Sequence, residues 1–353
     1  MSHLTYLESA VVGLVQGVTE LFPVSSLGHN VLIPALIGGS WAKDLNVARP
    51  ESPYLAFIVG MHVATAIALL VYFWRDWVRI IGGFFSSIRY GQIETTNQKL
   101  AWMIIMATIP VGLVGVVFEH TFRVLFGVPY RAAIFLVVNG VILYTGEKFR
   151  TRASLLADTS VTADRALAEG TTHDEGATLA EGTTLADPAA LTEGAALTEG
   201  TSTRDAPAHR TVRQLEISRA VSADVRLTSM GFGQSTLIGA AQILALLAGI
   251  SRDGVTMVAG MFSGLSREDA ARFAFLLATP VILAAGALKV PDLTGPLGNG
   301  IHGQILLGSV LSGVGAYVSV RYLVRYFQTR TLTPFAIYCV LFGAGSWIYL
   351  SVK

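Results

Sequence analysis

Apolar stretches separated by short polar segments make up most of this chain. A helix needs about 20 apolar residues to cross the hydrocarbon core of a bilayer. Six stretches reach or approach that length: 54–74, 101–118, 132–146, 270–290, 301–320 and 335–350. In lipid, backbone groups must find their hydrogen bonds within the segment, so each stretch is predicted to be helical. The pattern predicts an all-α polytopic membrane protein with six transmembrane helices.

Two further apolar segments are interrupted by polar residues and glycine. The first, 7–37, is broken by Pro-Val-Ser-Ser-Leu-Gly-His at 23–29, and the second, 235–264, by Gly-Ile-Ser-Arg-Asp-Gly at 249–254. Irregular backbone at membrane depth is tolerated only where protein surrounds it or where it lines a cavity. Both segments are therefore predicted to be re-entrant helical hairpins.

The two hairpins resemble each other in sequence. A gapless alignment pairs identical residues at these positions: Gln16 with Gln242, Leu21 with Leu247, Ser25 with Ser251, and Gly28 with Gly254. Each hairpin precedes three spanning helices, an odd number, so the halves 1–151 and 226–353 are expected to have opposite orientations. Broken segments at corresponding positions of an inverted repeat point to a site near the bilayer midplane.

The segment 152–225 between the two repeats is of low complexity, and Glu-Gly recurs in it with a period of six residues. Acidic sequence without aromatic residues buries too little apolar surface to order itself. This insert is therefore predicted to be disordered; a hexapeptide solenoid would need an aliphatic ladder that is missing. The loop 75–99 is rich in basic residues, so the positive-inside bias predicts that this loop and the insert are cytoplasmic.

Composition and charge agree with a multi-pass protein of the cell membrane. Charged residues make up 14% of the chain, against about 25% in soluble proteins. The net charge of +1 leaves no basic excess to neutralise a phosphate backbone, so no nucleic-acid partner is expected. The single cysteine, Cys339, excludes an internal disulfide.

Two charged residues in the hairpins are the strongest candidates for chemistry. Glu20 lies in an apolar segment, where a carboxylate is costly unless it is paired, hydrated or functional. The alternative is a side chain at a helix end that reaches the membrane surface. Arg252 offers a planar fork that suits phosphate oxygens. Its alternative is a structural ion pair with Glu20 or Asp253.

Polar side chains around the first break allow more than one interpretation. Ser25, Ser26 and His29 lie within five residues of one another. A hydroxyl and an imidazole can form a nucleophile–base pair, whereas a serine at a helix start is often an N-cap. His62 and Asn139, which lie in spanning segments, are predicted to form hydrogen bonds between helices.

The second break carries groups that suit an anion. Ser251, Gly254 and Thr256 stand at the start of the helix that follows it, where backbone N–H groups can bind phosphate. Gln16 and Gln242 precede the breaks and can either bond a ligand or hold helices together. Together the two breaks offer a set of groups that suits a phosphate or diphosphate.

The segment from Gln16 to His29, with its Pro-Val-Ser-Ser-x-Gly-His, resembles a signature of the bacterial undecaprenyl-diphosphatases, the bacitracin-resistance membrane phosphatases. The segments 249–254 and 264–280 resemble the second motif of that family. The resemblance covers the chain outside about 152–225. It implies six spanning helices with two re-entrant hairpins, and hydrolysis of undecaprenyl diphosphate to undecaprenyl phosphate and inorganic phosphate, which recycles the cell-wall carrier lipid.

The resemblance also implies roles for individual residues. Glu20 would help to hold a divalent cation, Mg²⁺ or Ca²⁺; Ser26 would attack phosphorus or position a water; His29 would transfer the proton. Arg252 would clamp phosphate. The further phosphate-binding candidates are Gln16, Ser25, Ser251, Gly254 and Thr256. The site is expected to open to the outside, bacitracin to compete for the lipid substrate, and a homodimer is left open.

Three positions depart from the family pattern. Gln16 stands where many members have a carboxylate, Ala248 where proline is usual, and Asp253 where serine is usual. Asp253 can supply the missing cation ligand, or it can neutralise Arg252 and weaken phosphate binding. Asp253 thus leaves open a catalytically impaired relative with a binding role. Separately, inverted repeats with broken helices are typical of carriers, so a lipid-phosphate transporter or flippase of the same architecture also stays open.

Overall fold

The computed structural model describes residues 4–46, 53–172, 221–294 and 300–352, and the regular structure in these ranges is helical throughout. The helices are α1 (Tyr6–Leu21), α2 (Ser26–Ile37), α3 (Gly39–Asp44), α4 (Pro53–Tyr72), α5 (Trp74–Tyr90), α6 (Thr96–Phe126), α7 (Pro129–Thr172), α8 (which includes 221–228), α9 (Phe232–Ala241), α10 (Arg252–Phe262), α11 (Arg267–Thr294), α12 (His302–Thr329) and α13 (Thr333–Val352). A 3-10 segment, Gln242–Leu246, continues α9.

Several helices are suited to cross a membrane. Five of those described, α6, α7, α11, α12 and α13, contain stretches long and apolar enough to do so. A sixth is obtained if α4 and α5, which meet at an angle of 85°, are taken together as one span. The prediction of an all-helical, multi-pass membrane protein is confirmed at this level.

The segment 75–99 is not the simple loop that the sequence predicted. Most of it belongs to α5, which turns sharply away from α4. One face of α5 buries Ile80 and Ser87 against the bundle, while Ile81, Phe85 and Ile88 are exposed on the other. A helix with an apolar outer face at such an angle is suited to lie along a membrane surface.

The helix α7 extends further than its apolar stretch. It runs to Thr172, so the beginning of the insert 152–225 is helical where disorder was predicted. This part is rich in alanine and leucine, which favour helix, and these residues precede most of the Glu-Gly repeats. Residues 173–220, which hold the remaining repeats, lie outside the described ranges.

Each hairpin packs against a helix of the other half of the chain. Helix α1 lies on α12, and α9 lies on α6. Glycines allow both contacts: a Cβ at Gly17 would overlap the carbonyl oxygen of Ser312, and one at Gly239 that of Ala107. Small residues let membrane helices approach closely. The described residues of 1–150 and 220–353 form one compact unit, and it contains the site described next.

Candidate active site at the two helix breaks

The first break follows from its local sequence. Helix α1 ends at Leu21, Phe22 has an extended backbone, and residues 22–24 form a turn. Ser25 has a φ of 68°, a left-handed conformation that few residues other than glycine adopt. Its hydroxyl accepts a hydrogen bond from the Gly28 N–H at 3.2 Å and so caps α2. Of the two serines considered as caps, Ser25 is the one that caps.

The second break has the same kind of serine cap, but the backbone that leads to it is different. The 3-10 segment ends before Leu247, and Gly249 takes a φ of 113°. The Ser251 hydroxyl then accepts a hydrogen bond from the Gly254 N–H at 3.1 Å and caps α10. The turn at Gly249 produces the break although Ala248 replaces the proline usual in the family.

The two breaks are joined directly. The Ser25 hydroxyl also accepts a hydrogen bond from the Gly249 N–H at 3.2 Å. From α7, the Asn139 amide donates to the Pro23 carbonyl at 3.0 Å and accepts from the Ser251 N–H at 2.9 Å. Asn139 was predicted to be a hydrogen-bond partner between helices, and here it connects both breaks to a spanning helix.

A buried carboxylate lies where the hairpins meet. Oε1 of Glu20 accepts a hydrogen bond from Nη2 of Arg252 at 2.5 Å. Its Oε2 accepts from the Ser26 hydroxyl and, at 2.7 Å, from Nε2 of Gln16. Nε2 of His62 lies 3.5 Å from the same oxygen. The structure thus brings Glu20 and Arg252 together, as expected for two breaks that form one site.

The surroundings of Glu20 explain how it tolerates burial. The residue is 6% exposed, and removing a carboxylate from water costs several kcal/mol unless a cation and hydrogen-bond donors replace the water. Arg252 supplies the charge, and Ser26 and Gln16 supply donors. Nδ2 of Asn30 donates to Oε1 of Gln16 at 2.5 Å, which turns the amide nitrogen toward Glu20. The ion pair raised as the structural alternative for Arg252 is therefore present.

His29 is held away from this cluster. Its Nδ1 lies 2.7 Å from the Ser25 carbonyl, which can only accept, so Nδ1 carries the hydrogen. In the neutral ring Nε2 then accepts from the Tyr338 hydroxyl, also at 2.7 Å. The rings of Tyr338 and Phe342 lie parallel to the imidazole, with centroids 5.7 and 5.1 Å away. No hydrogen bond joins His29 to Ser26 in the described structure, and its role as proton carrier stays a prediction.

The remaining candidates of the second hairpin divide into two groups. Ser251 and Gly254 are occupied with the cap, and the Thr256 hydroxyl donates to the carbonyl of Arg252 at 2.7 Å within α10. The Thr256 hydroxyl is thus not directed at the Glu20 cluster. Asp253 is 1% exposed, and neither of its carboxylate oxygens has a hydrogen-bond partner among the described residues.

Sequence reasoning missed three residues that touch the site. His62 was predicted to form a hydrogen bond between helices, and its Nε2 does lie 3.4 Å from Nε2 of Gln16, but its approach to Glu20 was missed. An ionisable side chain inside a span is a signal for a site. Asn30 orients Gln16, and its position directly after the motif was the only signal. Nothing in the sequence marked Tyr338, because its contact with His29 joins positions 309 residues apart.

The donor set for a divalent cation is small. No group of three or more His, Cys, Asp or Glu side chains suited to a metal occurs among the described residues. Neither buried oxygen of Asp253 has a hydrogen-bond partner among the described residues, although Oδ1 lies 3.8 Å from Nε of Arg252, whereas both oxygens of Glu20 accept hydrogen bonds. Mg²⁺ is often held by one or two carboxylates together with the oxygens of a phosphate substrate. The residues fit a cation of that kind.

The sequence is similar to known proteins along nearly its whole length. The family described as bacitracin resistance protein BacA matches residues 9–173 and 208–345. The undecaprenyl-diphosphatase of Mycolicibacterium paratuberculosis is 53% identical over 352 residues, which cover 100% of this chain and 99% of that protein. Undecaprenyl-diphosphatase 2 of Frankia alni is 53% identical, with 98% and 97% covered, and that of Burkholderia orbicola is 35% identical, with 94% and 92% covered. The chain belongs to the bacitracin resistance protein BacA family.

Proposed function

We propose that this protein is a membrane phosphatase that hydrolyses undecaprenyl diphosphate to undecaprenyl phosphate and inorganic phosphate. Recycling of the cell-wall carrier lipid, and resistance to bacitracin through competition for the same diphosphate, follow from that activity. The observation that carries the proposal is the contact of Glu20 with Arg252 at 2.5 Å, which joins the two hairpins at one buried point. The relatives named undecaprenyl-diphosphatase support the identity of the substrate.

The contacts of Glu20 suggest how the reaction begins. The Ser26 hydroxyl donates to Glu20, so this carboxylate is placed to take the serine proton. In one form of the reaction, Ser26 Oγ bonds to the terminal phosphorus while the bond from phosphorus to the bridging oxygen breaks. Undecaprenyl phosphate leaves, and water hydrolyses the phosphoserine. In the other form, Ser26 and Glu20 orient a water that attacks directly.

Arg252 is suited to stabilise the charge on the phosphate oxygens. Phosphoryl transfer depends mainly on positioning and on neutralising that charge. Fixed charges act more strongly where water is excluded, as around this buried pair. The guanidinium is held by Glu20, and its Nε, 3.8 Å from Oδ1 of Asp253, forms no hydrogen bond with a described residue, which leaves a donor for a phosphate oxygen.

A divalent cation completes the proposed site. Glu20 and Asp253 would hold it together with oxygens of the diphosphate, and it would supply further positive charge. Asp253 supports this because its carboxylate is buried and has no hydrogen-bond partner in the described part of the chain. Asp253 would thereby replace the carboxylate that Gln16 lacks.

The proposed membrane arrangement has six spanning helices and two re-entrant hairpins in an inverted repeat. The span α4 would end at the membrane surface, where α5 turns along it. The first helix of each hairpin packs on a helix of the other half of the chain, α1 on α12 and α9 on α6, which supports a repeat. The matching serine caps of α2 and α10 support it as well. The positive-inside bias supports a cytoplasmic insert. The proposed opening of the site to the outside rests on the resemblance to the family.

Purified protein in proteoliposomes with undecaprenyl diphosphate in one leaflet tests the proposal. Phosphate release that a chelator abolishes is expected, and movement of the lipid between leaflets without release would indicate a transporter instead. Arg252→Ala and Glu20→Ala should each lose most activity, whereas Arg89→Ala, at an exposed arginine outside the site, should retain it. Wild-type turnover in either site variant would overturn the assignment.

A further inference from the structure

Three arginines without acidic partners line one cleft. The cleft, of about 910 Å³, lies along the last turns of α12 and the turn into α13, and Arg321, Arg325 and Arg330 line it. All three are exposed, and none forms an ion pair with another described residue. Several other arginines are ion-paired: Arg79 and Arg272 with Asp76 and Asp224, Arg226 with Asp269, and Arg267 with Glu147. Arg75 and Arg89 also lack an acidic partner among the described residues, but they do not line this cleft.

The spacing of these arginines is unfavourable without an anion. Arg321 and Arg325 are four residues apart on α12, where like charges repel. The dipole of a helix favours cations only in its last turn. That turn includes the region of Arg330, the residue that caps α12, but not Arg321, which lies more than two turns earlier. A bound anion would offset this repulsion, and guanidinium groups suit phosphate oxygens in particular.

The other walls of the cleft change from polar to apolar along the helix. Tyr322 and Tyr326 lie beside the arginines, with ring centroids 5.6 Å apart. Val318, one turn further from the end of α12, also lines the cleft and is 61% exposed. Tyrosine is typical of the membrane interface, and exposed valine is typical of a lipid-facing surface. A free phosphate ion would need only the basic end, whereas a phospholipid would use both.

We propose that this cleft binds the phosphate of an anionic glycerophospholipid, with the headgroup at the three arginines and an acyl chain along Val318. The positive-inside bias puts this end of α12 on the cytoplasmic side, where anionic lipids attract basic residues. None of the cleft residues belongs to the Glu20–Arg252 cluster. The bound lipid is therefore not the proposed substrate, and its binding can be measured without reference to turnover.

Native mass spectrometry of the full-length protein in detergent tests the cleft, with dioleoylphosphatidylglycerol as the probe. The variant R321Q/R325Q/R330Q should bind one phosphatidylglycerol at least about tenfold more weakly than wild type, because each basic residue contributes severalfold near an anionic group. The variant R75Q/R89Q/K148Q, which removes the same charge away from the cleft, should bind like wild type. The variant R321K/R325K/R330K should recover part of the affinity.

Competition experiments identify the source of the phosphate. Neither inorganic phosphate nor glycerol 3-phosphate at millimolar concentration should displace the phosphatidylglycerol, and phosphatidylcholine should bind at least tenfold more weakly. If the cleft and control variants lost affinity for phosphatidylglycerol equally, the effect would be one of general surface charge, and the site would be overturned. Displacement by inorganic phosphate, or unchanged binding in the cleft variant, would overturn it as well. All variants should elute as wild type on gel filtration, since the substituted side chains carry no ion pair.

Discussion

The two hairpins share their caps but differ in how their buried polar groups are satisfied. In the first, Gln16 bonds Glu20 and Asn30. In the second, the equivalent Gln242 is 1% exposed, and neither atom of its amide has a partner among the described residues. The carboxylate of Asp253 also lacks a hydrogen bond in the described structure, although Nε of Arg252 lies 3.8 Å from its Oδ1.

This difference suggests that the two hairpins have different roles in the site. Burying a polar group without a hydrogen bond costs about 1–3 kcal/mol of folding free energy. A hairpin that holds several such groups is therefore less stable than one whose groups are all bonded. The first hairpin is organised in advance around Glu20 and Ser26. The second offers two groups without hydrogen bonds in the described structure, the Asp253 carboxylate and Nε of Arg252, which lie 3.8 Å apart as a loose ion pair. A substrate with its cation is the partner that the proposed reaction provides.

Substitution of the two neighbouring serines of the first hairpin should give the largest difference, with activity affected at Ser26 and stability affected at Ser25. Ser26→Ala should lower kcat at least about 10³-fold, as expected when a residue of the reacting set is removed, with little change in Tm. Ser25→Ala should lower stability by about 1 kcal/mol, the usual value of an N-cap, and retain activity in the folded fraction. Phosphate release and thermal unfolding in detergent measure both. A folded Ser25→Ala protein as slow as Ser26→Ala would contradict the separation.

The unpartnered carboxylate of the second hairpin should set the cation requirement. Asp253→Asn should raise the Mg²⁺ concentration for half-maximal activity roughly tenfold, the loss typical of a weakened metal shell. Glu94→Gln, at an exposed carboxylate elsewhere, should leave the titration unchanged. If Asp253→Asn instead improved activity at every Mg²⁺ concentration, Asp253 would be a neutraliser of Arg252 and not a ligand.

The contact of His29 with Tyr338 should have a smaller effect. Tyr338→Phe retains the stacked ring and removes only the hydroxyl that bonds Nε2 of His29 at 2.7 Å. One such hydrogen bond contributes about 1 kcal/mol, so kcat should fall about fivefold. The exposed Tyr144→Phe serves as the control. No change in kcat or in its pH profile would show that this bond does not act on the reaction.

The equivalent glutamines should differ in stability rather than in rate. Gln16→Leu removes bonds to Glu20 and Asn30 and should lower the free energy of unfolding by about 1–3 kcal/mol. Gln242→Leu removes an amide that bonds nothing in the described part of the chain and should be neutral or slightly stabilising. Thermal unfolding of both variants in the same detergent gives the comparison. Equal destabilisation would mean that the two hairpins are satisfied alike.

The sequence predicted the features that depend on local patterns. The two breaks and a serine cap in the first of them follow from polar residues and glycine within apolar segments, and the structure has both breaks and the cap at Ser25. The cap at Ser251 was not predicted, because Ser251 was assigned to an anion site. The amphipathic helix α5 was missed because the sequence was divided only into spanning helices and loops. A helix that is apolar on one face fits neither class. The extension of α7 to Thr172 depends on helix propensity, which the low-complexity pattern concealed.

Contacts between distant positions could not be predicted in the same way. The alignment of the hairpins suggested that Glu20 and Arg252 meet, but not that Ser26 bonds Glu20 in place of His29. Likewise, the links from Asn139 to both breaks depend on how α7 packs. Periodicity along one segment contains no information on the side chain that another helix presents to it.

A double-mutant cycle on Glu20 and Arg252 tests most directly whether the hairpins form one site. The values of kcat/KM are measured for wild type, Glu20→Gln, Arg252→Gln and the double variant in the same proteoliposomes. A shared site predicts a double variant about as slow as the slower single variant, with a coupling energy of about 2 kcal/mol or more. Effects that add to within about 0.5 kcal/mol would show that the two residues act independently and would contradict a joint site.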